Sequence, residues 1–192
     1  SAKLFSGTHT ENDASVNNSS KNLKSIDLTG LDASSTLYMD SMFANTTSLE
    51  SLNLDDFDSS SAVNMASMFY GTNLASIDLS QIESQNVTDM GYMFSNSKFG
   101  SIDASKLNTQ SVTKMPGMFR NAAATTIKFF DNDPTDSSFD TSKVTDMASM
   151  FYGVHVEELD LRNFNTEQVL SFNSMFLYAD PIKKLDVTSF NL

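Results

Sequence analysis

The chain has 192 residues, enough for one domain with a substantial core. Its formal net charge is −12 at pH 7, which argues against nucleic acid or anionic lipid as a partner, because polyphosphate would be repelled. Cysteine is absent, so disulfides, thiolate nucleophiles and Cys-ligated metals are excluded together. No apolar run approaches the roughly 18 residues of a membrane span, so direct membrane insertion is not expected.

In chain order, residues 1–21 are irregular and polar. Leu4-Phe5-Ser6-Gly7 mimics the end of a repeat unit, and this stretch is expected to form a cap. From residue 22 onward the chain is periodic. All 11 Met fall in one motif, M-x-x-M-F, at Met39/Met42, Met65/Met68, Met90/Met93, Met115/Met118, Met147/Met150 and Met175, with Phe172 in the remaining slot. Successive motifs are 26, 25, 25, 32 and 25 residues apart. A fixed period of this size is the signature of stacked repeats. Each motif follows a short apolar pattern, as in Leu49, Leu52, Leu54 or Val156, Leu159, Leu161.

The L-x-L alternation predicts a short strand with one buried face. Strands are expected at Ile26, Leu52, Ile77, Ile102, Ile127, Leu159 and Leu185. Val144, Met147, Met150 and Phe151 are spaced as one stripe of a two-turn helix. Asn45, Gly71, Asn96, Asn121 and Gly153 follow the Phe and suit a left-handed helix stop. The predicted fold is therefore an α/β repeat: a leucine-rich-repeat-like right-handed solenoid whose coils, each of about 25 residues, hold one short strand and one short helix. Residues 22–192 form a single domain of about seven coils, with an insertion near 130–136. Leu37 and Val63 lie two rather than three residues before the Met, which predicts a shifted helix start in those copies.

The unit L-x-x-L-D-L-x-x-F-D-T-S-x-V-T-D-M-x-x-M-F-x-G resembles the repeat of BspA-like surface proteins of lactobacilli, enterococci and mycoplasmas. The matching stretches include 156–176, 139–153 and 87–94. The resemblance departs where the family often has Cys: here the place holds Thr46, Thr72, Ser97, Ala122, Val154 and Ala179. It implies an exported, cell-surface adhesin or interaction module that binds a host or matrix protein or glycan, without catalytic residues. The alternative is a structural spacer with no ligand of its own. Ser1 in first place and an array ending in mid-unit at Asn191 and Leu192 point to a fragment of a longer surface protein. A monomer is expected.

Between the core strand positions lie Asp27, Asn53, Asp78, Asp103, Lys128, Asp160 and Asp186, which predicts an acidic ribbon along one face. This ribbon is a solvated or side-chain-hydrogen-bonded ladder, a ligand face for a basic protein or glycan, or a site for bound cations. The ligand-binding candidates are Asp78, Asp103, Lys128, Phe130, Asp160 and Arg162, with Phe130 expected to point outward from the fifth copy, where the period lengthens. In the same copy Asp131, Asp133 and Asp136 offer hard oxygen ligands for Ca²⁺, against the plainer reading of a Pro-containing turn. No other cofactor is expected. His9 and His155 lack partners at catalytic spacing, and no enzyme activity is expected.

Overall fold

In the computed structural model, residues 22–131 and 138–191 are described. The strand-plus-helix solenoid is not the architecture found. The described residues contain no α-helix, and their regular helical segments are the short 3₁₀ turns Leu79–Gln81 and Ala104–Lys106. The strands are β1 (Ser25–Asp27), β2 (Ser51–Asn53), β3 (Asn73–Leu74), β4 (Lys98–Phe99), β5 (Ser101–Asp103), β6 (Thr126–Lys128), β7 (Glu158–Asp160) and β8 (Lys184–Asp186). They do not join into one sheet but pair as four separate parallel two-stranded sheets, β1–β2, β3–β4, β5–β6 and β7–β8. Their register is one repeat, so Ile26 faces Leu52, Ile102 faces Ile127 and Leu159 faces Leu185. Ile77 lies outside any strand.

The M-x-x-M-F segments fold as consecutive tight turns, and their hydrogen bonds show why a helix does not form. In the third motif the N–H groups of Met90, Tyr92, Phe94 and Asn96 donate to the carbonyls of Lys114, Pro116, Met118 and Arg120, one repeat on, at 2.7–3.0 Å. The intervening N–H groups of Met93, Ser95 and Ser97 close turns onto Met90, Tyr92 and Phe94 at 3.0–3.3 Å. A helix would need every N–H for its own i−4 carbonyl; here every second one serves the neighbouring repeat. In the first and last of these turns, Met90–Met93 and Phe94–Ser97, the third residue, Tyr92 or Asn96, is left-handed at φ 56° and 55°, as a type II turn requires. In the fourth motif Pro116-Gly117 supplies that turn, with Gly117 at φ 57°. Asn45, Gly71, Asn96, Asn121 and Gly153 are indeed left-handed, at φ between 52° and 65°, but they end turns rather than helices.

Repetition then stacks like on like. The rings of Phe43, Phe69, Phe94, Phe119, Phe151 and Phe176 form a column with centroids 5.4–5.7 Å apart and planes within 10°. The methionines flank this column and are all buried. Val87, Val112 and Val144 are buried too. Leu37 is 47% exposed and the core place beside Val63 is taken by Ala62, so the first two copies do depart from the others. Where the resemblance places Cys, the first three copies carry buried hydroxyls; Thr46 and Thr72 both donate to the Phe43 carbonyl, at 2.8 and 2.9 Å.

A second column of buried hydroxyls staples repeat to repeat. Ser84 Oγ accepts from the N–H of Asn108 at 2.9 Å and donates to its carbonyl at 3.0 Å. Ser59 does the same with Glu83, and Thr166 with Asn191. Thr141 donates to the Asn165 carbonyl at 2.8 Å. This explains the Ser or Thr in the F-D-T-S stretch of the unit. Each staple contributes on the order of 1 kcal/mol net.

Asp and Asn make the corners. At up to three places per unit a side-chain oxygen accepts the backbone N–H two residues on, as in Asp78–Ser80, Asp58–Ser60 and Asp89–Gly91 at 2.9–3.0 Å. These are Asx turns. In the fourth copy Lys114 has no such acceptor, and the residue two on, Pro116, has no N–H to offer it. Hydrogen bonds from Ser or Thr side chains, then from their backbone N–H, hold the carboxyls of Asp27, Asp32, Asp58, Asp78 and Asp186 below the ordinary value of 3.8.

Two outcomes follow for stability. Phe94→Ala removes a ring that is 0% exposed and stacked on both sides, and should lower the urea-unfolding free energy by about 3–5 kcal/mol; Phe176→Ala, at a half-buried ring, should cost less. A carboxyl whose folded pKa is lowered contributes stability that is present above its unfolded pKa and lost as pH falls through the folded one. The stability difference between the chain and its Asp32→Asn/Asp58→Asn/Asp78→Asn variant should therefore shrink between about pH 5 and about pH 2 in urea titrations.

Candidate functional site

The expected acidic ribbon is present, but over the first four copies it is engaged with itself. Asp27 accepts from the N–H and hydroxyl of Thr29 and from Asn53, at 2.7–3.2 Å. Asn53 accepts the N–H of Asp55 at 2.9 Å. Asp78 caps the Leu79–Gln81 turn through the N–H and hydroxyl of Ser80, at 2.9 and 2.6 Å. Asp103 is hydrogen-bonded by the Ser105 hydroxyl. These carboxylates are parts of turns, which is what allows like charges to recur along a column.

The pattern changes at the fifth copy, where Lys128 takes the Asp place. Its ammonium group lies 3.7 Å from Asp103 and pairs with Asp131. Lys106 also reaches Asp131, donating to Oδ2 at 2.9 Å. Hydrogen bonds from Lys128, then Lys106, hold the Asp131 carboxyl below its ordinary value. The same contacts to Asp131 raise both lysines. One copy on, Arg162 donates to Asp160 from Nη2 at 2.6 Å and from Nε at 3.2 Å, a forked pair. That fork holds the guanidinium over the ring of Phe130, 5.1 Å from its centroid. Phe129 points into the core, and Phe130, just beyond β6, packs at its edge, half-buried rather than free.

β6 and β7 do not pair with each other, and an open groove of about 550 Å³ lies between them. Its lining includes Lys128, Phe130, Asp131, Asp160, Arg162 and Asn163. Four of the six ligand-binding candidates thus meet at one place, Lys128, Phe130, Asp160 and Arg162, beside the calcium candidate Asp131. Asp103 touches its edge through Lys128, whereas Asp78 lies two repeats away. Of the calcium candidates, Asp131 is engaged by two ammonium groups, and Asp133 and Asp136 lie outside the described residues. Among the described residues no group of three or more His, Asp or Glu is placed to hold a metal ion. Lys106 was not a candidate, yet its position 25 residues before Asp131 puts the two in neighbouring copies of one slot.

A second groove of about 590 Å³ adjoins the first across Thr126 and Glu158 and includes His155. His155 Nδ1 is 2.8 Å from the Gly153 carbonyl. A carbonyl only accepts, so Nδ1 is the donor in this contact. His9 lies outside the described residues. Among the described residues no helix is long and apolar enough to cross a membrane.

No curated protein and no solved structure matches this chain. A family model does, over residues 12–132 and again over 127–192. With its matches spanning nearly the whole array, the chain belongs to the family described as Mycoplasma protein of unknown function, DUF285.

Proposed function

We propose that this chain is a non-enzymatic interaction module displayed at the cell surface, and that it binds a host or matrix macromolecule through the groove between β6 and β7. The observation that carries this reading is the break in the ribbon. Elsewhere the column is committed to its own turns; at β6 Lys128 takes the Asp place, and Phe130 and Arg162 follow two residues after the slot in the fifth and sixth copies, around an open space of about 550 Å³. A concave site with an aromatic side chain and a few convergent polar groups is the usual form of a binding site. The resemblance of the repeat to BspA-like surface proteins supports the exported, adhesive setting. The chain charge of −12 supports a partner other than nucleic acid.

A spacer is the second reading, and the self-engaged ribbon of the first four copies favours it for that part of the chain. The two separate in an adhesion assay with the purified chain coated on beads. Phe130→Ala/Asp160→Ala should reduce bead attachment to epithelial cells or matrix proteins severalfold, with the unfolding midpoint of the variant measured alongside to separate lost contact from lost folding. Attachment by neither the chain nor the variant would favour the spacer.

A further inference from the structure

Resting on that reading of the groove, we infer that its ligand is the uncharged part of a glycan: a neutral sugar, recognised through hydrogen bonds and one flat apolar surface. Charge bookkeeping within the groove points this way. Asp131 is held by Lys106 and Lys128, Lys128 also faces Asp103, and Asp160 is forked by Arg162. Glu158, the remaining acid of the wall, lies 3.6 Å from the Lys184 ammonium, so each acid in the wall already has its cation. A basic peptide would have to displace Lys128 or Arg162, and an anionic ligand would have to displace Asp131 or Asp160. Either exchange replaces one ion pair by another, with little net gain at exposures of 34–57%.

A neutral ligand displaces nothing. The paired groups keep unused hydrogen-bonding capacity. Arg162 commits Nε and Nη2 to Asp160, so a guanidinium with five N–H donors retains several. Lys128 retains an N–H beyond its two acidic neighbours. Among the described residues the Asn163 amide has no hydrogen-bond partner, and it offers both donor and acceptor at the lip of the groove. Planar donors and acceptors held rigid by their own pairing are suited to vicinal hydroxyls, because little ordering cost remains on binding. The half-buried Phe130 ring, with the Arg162 guanidinium carbon 5.1 Å from its centroid, supplies the apolar surface against which the C–H face of a pyranose packs. The volume is in the range of small-ligand sites and takes one or two sugar rings.

The test is saturation-transfer NMR and titration calorimetry of the intact chain with a panel of neutral oligosaccharides, lactose, N-acetyllactosamine, chitobiose and mannobiose, beside a basic probe, oligolysine, and an acidic one, heparin fragments. Saturable binding of at least one neutral sugar is expected, with an affinity unchanged between low and high salt, since no ion pair is formed. Asn163→Ala should weaken it about tenfold, a loss of about 1.4 kcal/mol. Asn163 is exposed and outside the core, so this variant tests the site even if Phe130→Ala disturbs folding. Binding of oligolysine or heparin that fades with salt, with no neutral sugar bound, would overturn the sugar proposal and leave the binding module standing. Bead attachment to cells with no ligand found in the panel overturns the sugar proposal in the same way, and absence of both attachment and ligand would overturn the two together.

Discussion

Every second N–H of the turn segments belongs to the next repeat, and the rest of the structure depends on that division. Met65, Ser67, Phe69 and Gly71 donate forward to Asp89, Gly91, Met93 and Ser95, while Met68, Tyr70 and Thr72 close their own turns. No unit satisfies its backbone alone, so a unit is stable only in a stack. The constraint also sets the spacing of side chains. Equivalent residues in successive units lie one hydrogen-bonded step apart, so each slot becomes a column, and each column must be self-compatible. Phenylalanine rings stack in one; flexible methionine fills the spaces beside it; a serine or threonine that both donates and accepts fits the staple column. Where a column departs from its rule, a neighbour compensates. Gly153 is an example: a Cβ there would lie 2.2 Å from Asn121 Oδ1 in the preceding unit, so the larger Asn is followed by the smaller Gly in the same left-handed place.

The same logic separates scaffold from site. Aspartate repeated once per unit looks like a selected acidic surface, but the turns account for it: each carboxylate replaces a backbone acceptor at a corner. What a turn does not need is a lysine in the aspartate slot, a half-buried phenylalanine beside it or an arginine laid across that ring. These three meet at the fifth and sixth copies, beside the insertion that lengthens the period to 32 residues. Function is read best from the irregular slots, because the regular ones are explained by stacking.

Much of this was legible in the sequence. The period, the burial of Met39 through Met175, the strands around Ile26, Leu52, Ile102, Ile127, Leu159 and Leu185, and the left-handed Asn and Gly positions all follow from residue spacing. The helix did not survive, for a specific reason. Apolar residues at i, i+3, i+6 and i+7 mark one face of a helix, but consecutive four-residue turns also return the chain to the same side every three or four residues. Hydrophobic spacing cannot tell the two apart; hydrogen-bond accounting can. Pro116-Gly117 between two core methionines was the available signal, since that dipeptide is a type II turn and interrupts a helix. The groove was half legible: Lys128, Phe130 and Arg162 stood out as breaks in their columns, and Asp160 as a member of the acidic ribbon. Lys106 did not, because its partner Asp131 is adjacent only once the repeats are aligned, and the gap between β6 and β7 depends on packing that no single unit encodes.

Amide hydrogen exchange across residues 172–179 tests the alternating division of N–H groups most directly. In the preceding motif both sets of amides are bonded; in this one Met175, Leu177 and Ala179 close turns, while Phe172, Ser174, Phe176 and Tyr178 have no acceptor among the described residues. The account predicts alternating slow and fast exchange along 172–179, against uniform protection along the equivalent amides of Met147 to Val154. Uniform protection of consecutive amides in the last motif, as a helical turn would give, would contradict it.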